Sequence, residues 1–243
     1  MTAYLAWTEV KLLAREPIVL VVSLMFPILL MVLLLASFSG DNDPVFVGLD
    51  GTSFYVTSYL GAAIAAMGFM GTPTHVASYR DSGVLRRFQS AGVPSRAMVV
   101  SQVSVLAILA VVGAGAMIGL AYSGFDLAAP ESVVGVAAGF AVGVAAFAAI
   151  GVLLGSFMPS ARAAQGLGLV LFFGTFFLVG GGPPPGVLPD ALNDIAGWTP
   201  TGLLVDAIRT PWTDGALDTT AMVTLAVMAV VGFALAARRL ARN

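Results

Sequence analysis

The 243-residue chain has no cysteine, which removes disulfides, thiolate nucleophiles and cysteine-ligated zinc or iron–sulfur centres. It has a single histidine, His75, and a single lysine, Lys11. Charge of either sign is scarce: 10% of residues are charged, against about a quarter in a soluble domain. A net charge of −2 gives no basic surface for a phosphate backbone, which excludes nucleic-acid binding. The 58% hydrophobic content likewise excludes a water-soluble enzyme and a disordered tail.

What is abundant is long uncharged apolar sequence. Six runs stand out, at 18–38, 54–73, 97–122, 133–158, 163–179 and 219–237, and none holds Asp, Glu, Lys, Arg or His. A bilayer core takes ~20 helical residues, so the fifth run is short alone and extends into Gly180, Gly181 and Gly182. Backbone amides in lipid have no partners outside their own helix, so each run must be helical. The expectation is an all-α membrane protein, one domain over 1–243 with six transmembrane helices. The first run follows Lys11 and Arg15 but exceeds a secretory signal's apolar core, so it reads as a retained signal-anchor.

Basic residues give the orientation. With six crossings, both tails share a side with the 74–96 and 159–162 loops. That side holds ten of the eleven basic residues, and the other has Arg209 alone. Ten of thirteen acids, from Asp41 to Asp218, lie with Arg209. The positive-inside rule places both termini in the cytosol of a cell-membrane protein.

Three segments are not simple spans. In 1–16, Ala3, Ala6, Trp7, Val10, Leu13 and Ala14 share one helical face, which predicts an interfacial helix rather than an extension of the first span. In the 74–96 loop, Val84, Leu85 and Phe88 cluster on one side of a short helix over 79–92, with Arg86 and Arg87 beside them. The same pattern fits a basic anchor. Before the last span, 183–215 is too long for a structureless connection. It reads as an external re-entrant segment, with apolar pieces at 187–198 and 203–208.

Gly135, Gly139, Gly143, Gly151 and Gly155 recur at multiples of four in the fourth run, and Gly115 and Gly119 sit in the third. Such rows allow close helix packing, within one subunit or at a dimer seam. Gln102 and Gln165 are the most polar groups near the helices and suit interhelical hydrogen bonds.

Uncharged spans disfavour proton-coupled carriers and charged channel filters. Paired carboxylates and His-Glu-x-x-His are missing, so hydrolysis and metal sites have no candidates. His75 reads as an interfacial residue. Lys11 follows Val10 rather than the glycine of a phosphate-binding loop, and the cytosolic segments are too short for a nucleotide-binding domain. Powered transport would need a motor on another polypeptide.

The whole pattern resembles the ABC-2 type permeases, the membrane subunits of ABC exporters. Tyr79-Arg80-Asp81-Ser82-Gly83-Val84-Leu85-Arg86-Arg87-Phe88 with Pro94 is similar to the family's Glu-Arg-Glu-x-Gly-Thr/Val-Leu-x-Arg-Leu and following proline. Tyr79 replaces the first acid, Asp81 the second, and Phe88 the usual leucine. The Gly-Val-Leu-Arg-Arg version looks most like daunorubicin-resistance multidrug exporters. Leu188-Pro189, Trp198-Thr199-Pro200 and Asp206-Ala207-Ile208-Arg209 are similar to a second family motif.

The resemblance implies a coupling helix that enters a groove on an ABC ATPase. Its residues would be Arg80, Asp81, Gly83, Val84, Leu85, Arg86, Arg87 and Phe88. It implies two ATPase subunits that bind ATP and Mg, a second permease subunit (identical or paralogous), surrounding lipid, and no cofactor or catalysis in this chain. The implied function is export of a hydrophobic or amphipathic drug, antibiotic or lipid. Alternatives are export of a polysaccharide or lipid-linked glycan, and a secondary carrier without an ATPase.

Overall fold

The computed structural model describes residues 17–38, 46, 49–83, 90, 95–182 and 184–240, and every regular element among them is helical. The interfacial helix expected at 1–16 lies outside the described residues. In chain order the helices are α1 (Pro17–Phe38), α2 (Gly51–Ala66), a π-helical segment (Met67–Gly71) and α3 (Thr72–Asp81). There follow α4 (Ser95–Gly124), α5 (Val133–Phe157), α6 (Ala161–Phe176), a short 3₁₀ turn (Pro185–Val187), α7 (Asp190–Trp198), α8 (Pro200–Thr213) and α9 (Thr219–Leu240). Four stretches are long and apolar enough to cross a membrane: Gly51–Asp81, Val99–Gly124, Val133–Phe157 and Thr219–Arg239. Met25–Phe38 and Ala161–Phe176 are apolar but shorter.

The apolar run at 54–73 proves to be part of a longer rod. The Asp50 carboxylate accepts from the Ser53 amide at 2.7 Å and starts α2. The helix then continues through Pro73 to Asp81, because the π-helical segment accommodates the proline. A proline removes one amide donor and its ring crowds the carbonyl four residues back. Across Met67–Gly71 the ladder widens, so that the Thr72 amide reaches the Met67 carbonyl. The Thr74 hydroxyl donates to the Met70 carbonyl at 2.6 Å, adding a partner beside the bulge. Tyr79, Arg80 and Asp81, assigned from sequence to the loop helix at 79–92, form the last turn of α3 instead. Gly83, at φ 71°, ends the helix in the left-handed conformation that glycine takes without strain.

This rod is the centre of the bundle. It carries the hydroxyls of Thr52, Ser53, Tyr55, Thr57, Ser58 and Tyr59, and 83% of its most apolar window is buried, against 22% for α4. Lipid is as apolar as a protein core, so polar side chains turn inward and plain aliphatic faces turn out. Most of these hydroxyls are satisfied locally or across the bundle. Thr57 donates to the Ser53 carbonyl at 2.8 Å and Ser58 to the Phe54 carbonyl at 2.8 Å. Thr52 donates to the Phe125 carbonyl at 3.2 Å and Tyr59 to the Gly181 carbonyl at 3.0 Å.

The glycine row of α5 packs inside the subunit. A Cβ on Gly139 would strike the Ala207 carbonyl of α8, and one on Gly143 would strike Leu204. A Cβ on Gly135 would lie 2.6 Å from Pro211, and on Gly151 or Gly155 it would collide with Gly68, Thr72, Pro73 or Val76 of the rod. On the other side α9 lies along α5, with Gly232 against Ala149. Gly115 and Gly119 of α4 face open space, with no neighbour within 4 Å.

Charges of one sign gather at each end. At the basic end, Arg80 reaches α5, and the Arg239 guanidinium sits 5.3 Å from the Phe157 ring. At the acidic end, the Trp212 indole donates to the Ala128 carbonyl at 3.2 Å, beside Glu131, Asp126 and Asp214.

Candidate functional site

At the basic end, the residues expected to couple fall into two groups. Arg80, Asp81 and Gly83 are described; Val84, Leu85, Arg86, Arg87 and Phe88 lie outside the described residues. Asp81 is exposed at the end of α3. Arg80 turns back into the bundle and donates to the carbonyls of Gly155, at 3.3 Å, and Met158, at 3.0 Å. The first belongs to the last turn of α5 and the second to the residue that follows it, where carbonyls have no partner within the helix. A guanidinium there also meets the negative end of the helix dipole. Just above, Val76, Val152 and Ala236 form a small buried cluster with Tyr79 and Leu153 against it. The foot of α3 is therefore fixed to α5 and α9, and the 84–94 loop starts from a braced point.

The other polar residues singled out from sequence take plainer places. His75 is exposed on α3, Gln165 is exposed on α6, and Gln102 is buried in α4. Among the described residues, no three His, Asp or Glu side chains gather as a metal site requires.

At the acidic end a cleft of about 640 Å³ opens between α2, α7, α8 and the turn after α6. Phe46, Phe54 and Val179 give it an apolar wall, and Asn193, Asp206 and Arg209 give it a polar one. Helices α7 and α8 build that polar wall, and α8 has a capped start. The Thr199 hydroxyl accepts from the Gly202 amide at 3.0 Å, and Pro200 occupies the first turn of α8, where no amide is needed. Opposite, the turn after α6 passes through Gly180, held at φ 91°, where a Cβ would strike Phe54.

Among the described residues, Arg209 is the one basic residue of this end. Its guanidinium lies 4.4 Å from the Phe54 ring centre. Its Nε donates to the Thr57 hydroxyl at 3.1 Å, and one terminal nitrogen donates to the Ser58 hydroxyl and the Phe54 carbonyl. Burial lowers its pKa to about 10, with Asp206 opposing the shift, and it stays cationic at neutral pH. Burial raises the Asp206 pKa, with the Arg209 charge working the other way. Arg209 thus ties α8 to the most buried helix and presents a cation beside an aromatic wall. Sequence reading held two signals for it, its isolation among ten acids and its place in the Asp206-Ala207-Ile208-Arg209 stretch. The hydroxyls of Thr57 and Ser58 that receive it looked like ordinary residues of an apolar span.

The chemistry available is recognition and movement, with a braced helix end at one side and an amphipathic cleft at the other. A sequence model described as ABC-2 family transporter protein matches residues 35–238, from the last turn of α1 into the last turns of α9. No curated protein matches the chain. A match over that span, on an all-helical bundle with membrane-crossing helices, places the chain in the ABC-2 family of transporter proteins, as a membrane subunit of an ABC transporter.

Proposed function

We propose that the chain is the path-forming permease of an ATP-driven exporter for hydrophobic or amphipathic small molecules, such as drugs, antibiotics or lipids. Two copies, or this chain and a paralogue, form the pore with two ABC ATPase subunits, in the cell membrane with both termini cytosolic. The observation that carries the reading is the family match joined to six apolar runs without Asp, Glu, Lys, Arg or His. Spans without fixed charge suit an apolar guest better than an ion or a sugar, and offer no relay for a proton-driven carrier. Drug or lipid export therefore ranks above glycan export. Segregation of basic and acidic residues to opposite ends supports a cytosolic 84–94 loop.

The absence of cysteine makes the orientation directly testable. Ser82 is exposed just after α3. The Ser82→Cys protein should resist a membrane-impermeant maleimide added to intact cells and react after permeabilisation. Labelling in intact cells would put the loop on the wrong side for an ATPase and overturn the reading.

A further inference from the structure

We propose that Arg80 is a positioning residue that makes α5 a connecting rod between the 84–94 loop and the α8 wall of the opposite cleft. The inference rests on the coupling role given to that loop. Its structural basis is how α5 is fastened at both ends.

At the basic end, Arg80 holds the carbonyls of Gly155 and Met158 through one guanidinium. At the acidic end, the Glu131 and Ser132 amides, just before α5, donate to the Trp212 and Pro211 carbonyls of α8, both at 3.0 Å. Between them, Gly139 and Gly143 let the α8 backbone and Leu204 press against α5 with no intervening side chain. The α5 helix is 25 residues long and carries no proline, giving an unbroken rod of about 37 Å. The α8 helix that it holds carries Asp206 and Arg209 into the cleft.

The parallel route through the central helix is built differently. Between the loop and the acidic end it passes the π-helical segment, with Gly68 and Gly71 in it and Pro73 just after. Such segments mark places where a helix bends or shifts register. Displacement of α3 would be partly absorbed there. Arg80 bridges from α3 to α5 below the articulation, so displacement passes into the unbroken helix. A long cationic side chain suits this task, because it holds two carbonyls at once and tolerates small changes of angle.

Two measurements test the strut. In membranes without ATPase, nitroxides on Ser82→Cys, just after α3, and Pro159→Cys, just after α5, should give one narrow distance distribution; both positions are exposed. Arg80→Ala should broaden it, and Arg80→Lys, which keeps the charge but not the planar guanidinium, should give an intermediate width. A width unchanged by Arg80→Ala overturns the strut whatever drives the transporter.

In proteoliposomes with the co-purified ATPase, ATP should change the maleimide labelling rate of Thr213→Cys, which lines the cleft. Arg80→Ala should shrink that ATP-dependent change on the order of threefold or more. ATPase binding should be retained, because the Arg80 guanidinium is bonded to the end of α5 and is not one of the apolar residues expected to enter the ATPase groove. Arg80→Lys should restore part of the response. A merely structural loss would lower yield and stability without separating ATPase binding from the response at the cleft. Full ATP response in the Arg80→Ala protein, or no ATP response in the unsubstituted one, overturns the inference. Failure of the unsubstituted chain to recover any ATPase removes the functional reading instead, and the spin-label distances still decide the strut.

Discussion

Leu85→Asp is expected to abolish recovery of the ATPase subunit with this chain while leaving the chain in the membrane. Within residues 80–92, Val84, Leu85 and Phe88 are the bulky apolar residues, among three Arg, two Ser and two Gly. An apolar knob entering a groove leaves water, and a carboxylate in its place would be buried without a partner. That costs several kcal/mol, and each 1.4 kcal/mol is about tenfold in affinity. Arg86→Ala should do far less, since a rim ion pair is worth ~0–1 kcal/mol. A loop that only anchors to lipid headgroups would show the opposite ranking, with either arginine mattering more than Leu85. Co-purification and stimulated ATP hydrolysis, with insertion confirmed, read the difference.

Gly139→Leu should be the most damaging single change in the bundle. The α5 and α8 helices meet at this residue so closely that even a Cβ would strike the Ala207 carbonyl. Overpacking typically costs ~1–3 kcal/mol where side chains can shift. Here the obstacle is backbone, Arg209 ties α8 to the central helix, and the Glu131 and Ser132 amides fasten the end of α8 to the start of α5. We expect loss of the monodisperse peak or a large drop in thermal stability in detergent. Gly115→Leu, on the open face of α4, should leave the subunit's own stability near that of the parent. Equal tolerance of both substitutions would contradict the close α5–α8 contact.

The apolar runs of this chain are legible because the bilayer imposes length and forbids charge, and both properties are local. Helix ends are less legible. Pro73 looks like a stop for the second span, yet the π-helical segment before it carries the helix on to Asp81. Nothing in Met67-Gly68-Phe69-Met70-Gly71 announces a widened turn beyond its two glycines. Thr199-Pro200-Thr201-Gly202, read as a break between two apolar pieces, is the capped start of α8. The signal was present, since a threonine before a proline is a helix-opening pair.

Long-range placement was out of reach. The glycine row declared a close contact but not that α8 and the central helix are its partners. Arg80 belonged to a recognisable motif, yet only the fold brings it to the end of α5. Arg209 stood out by sign, while its acceptors, Thr57 and Ser58, lie some 150 residues away in the chain.

The most direct measurement is transport under selective loss of each energy source. Cells carrying this chain with its ATPase should extrude an amphipathic dye such as ethidium, or a fluorescent phospholipid. Inactivating the ATPase's nucleotide site should stop that efflux, while an uncoupler that collapses the proton gradient and spares ATP should leave it running. Efflux that survives the dead ATPase and stops with the uncoupler would contradict an ATP-driven permease.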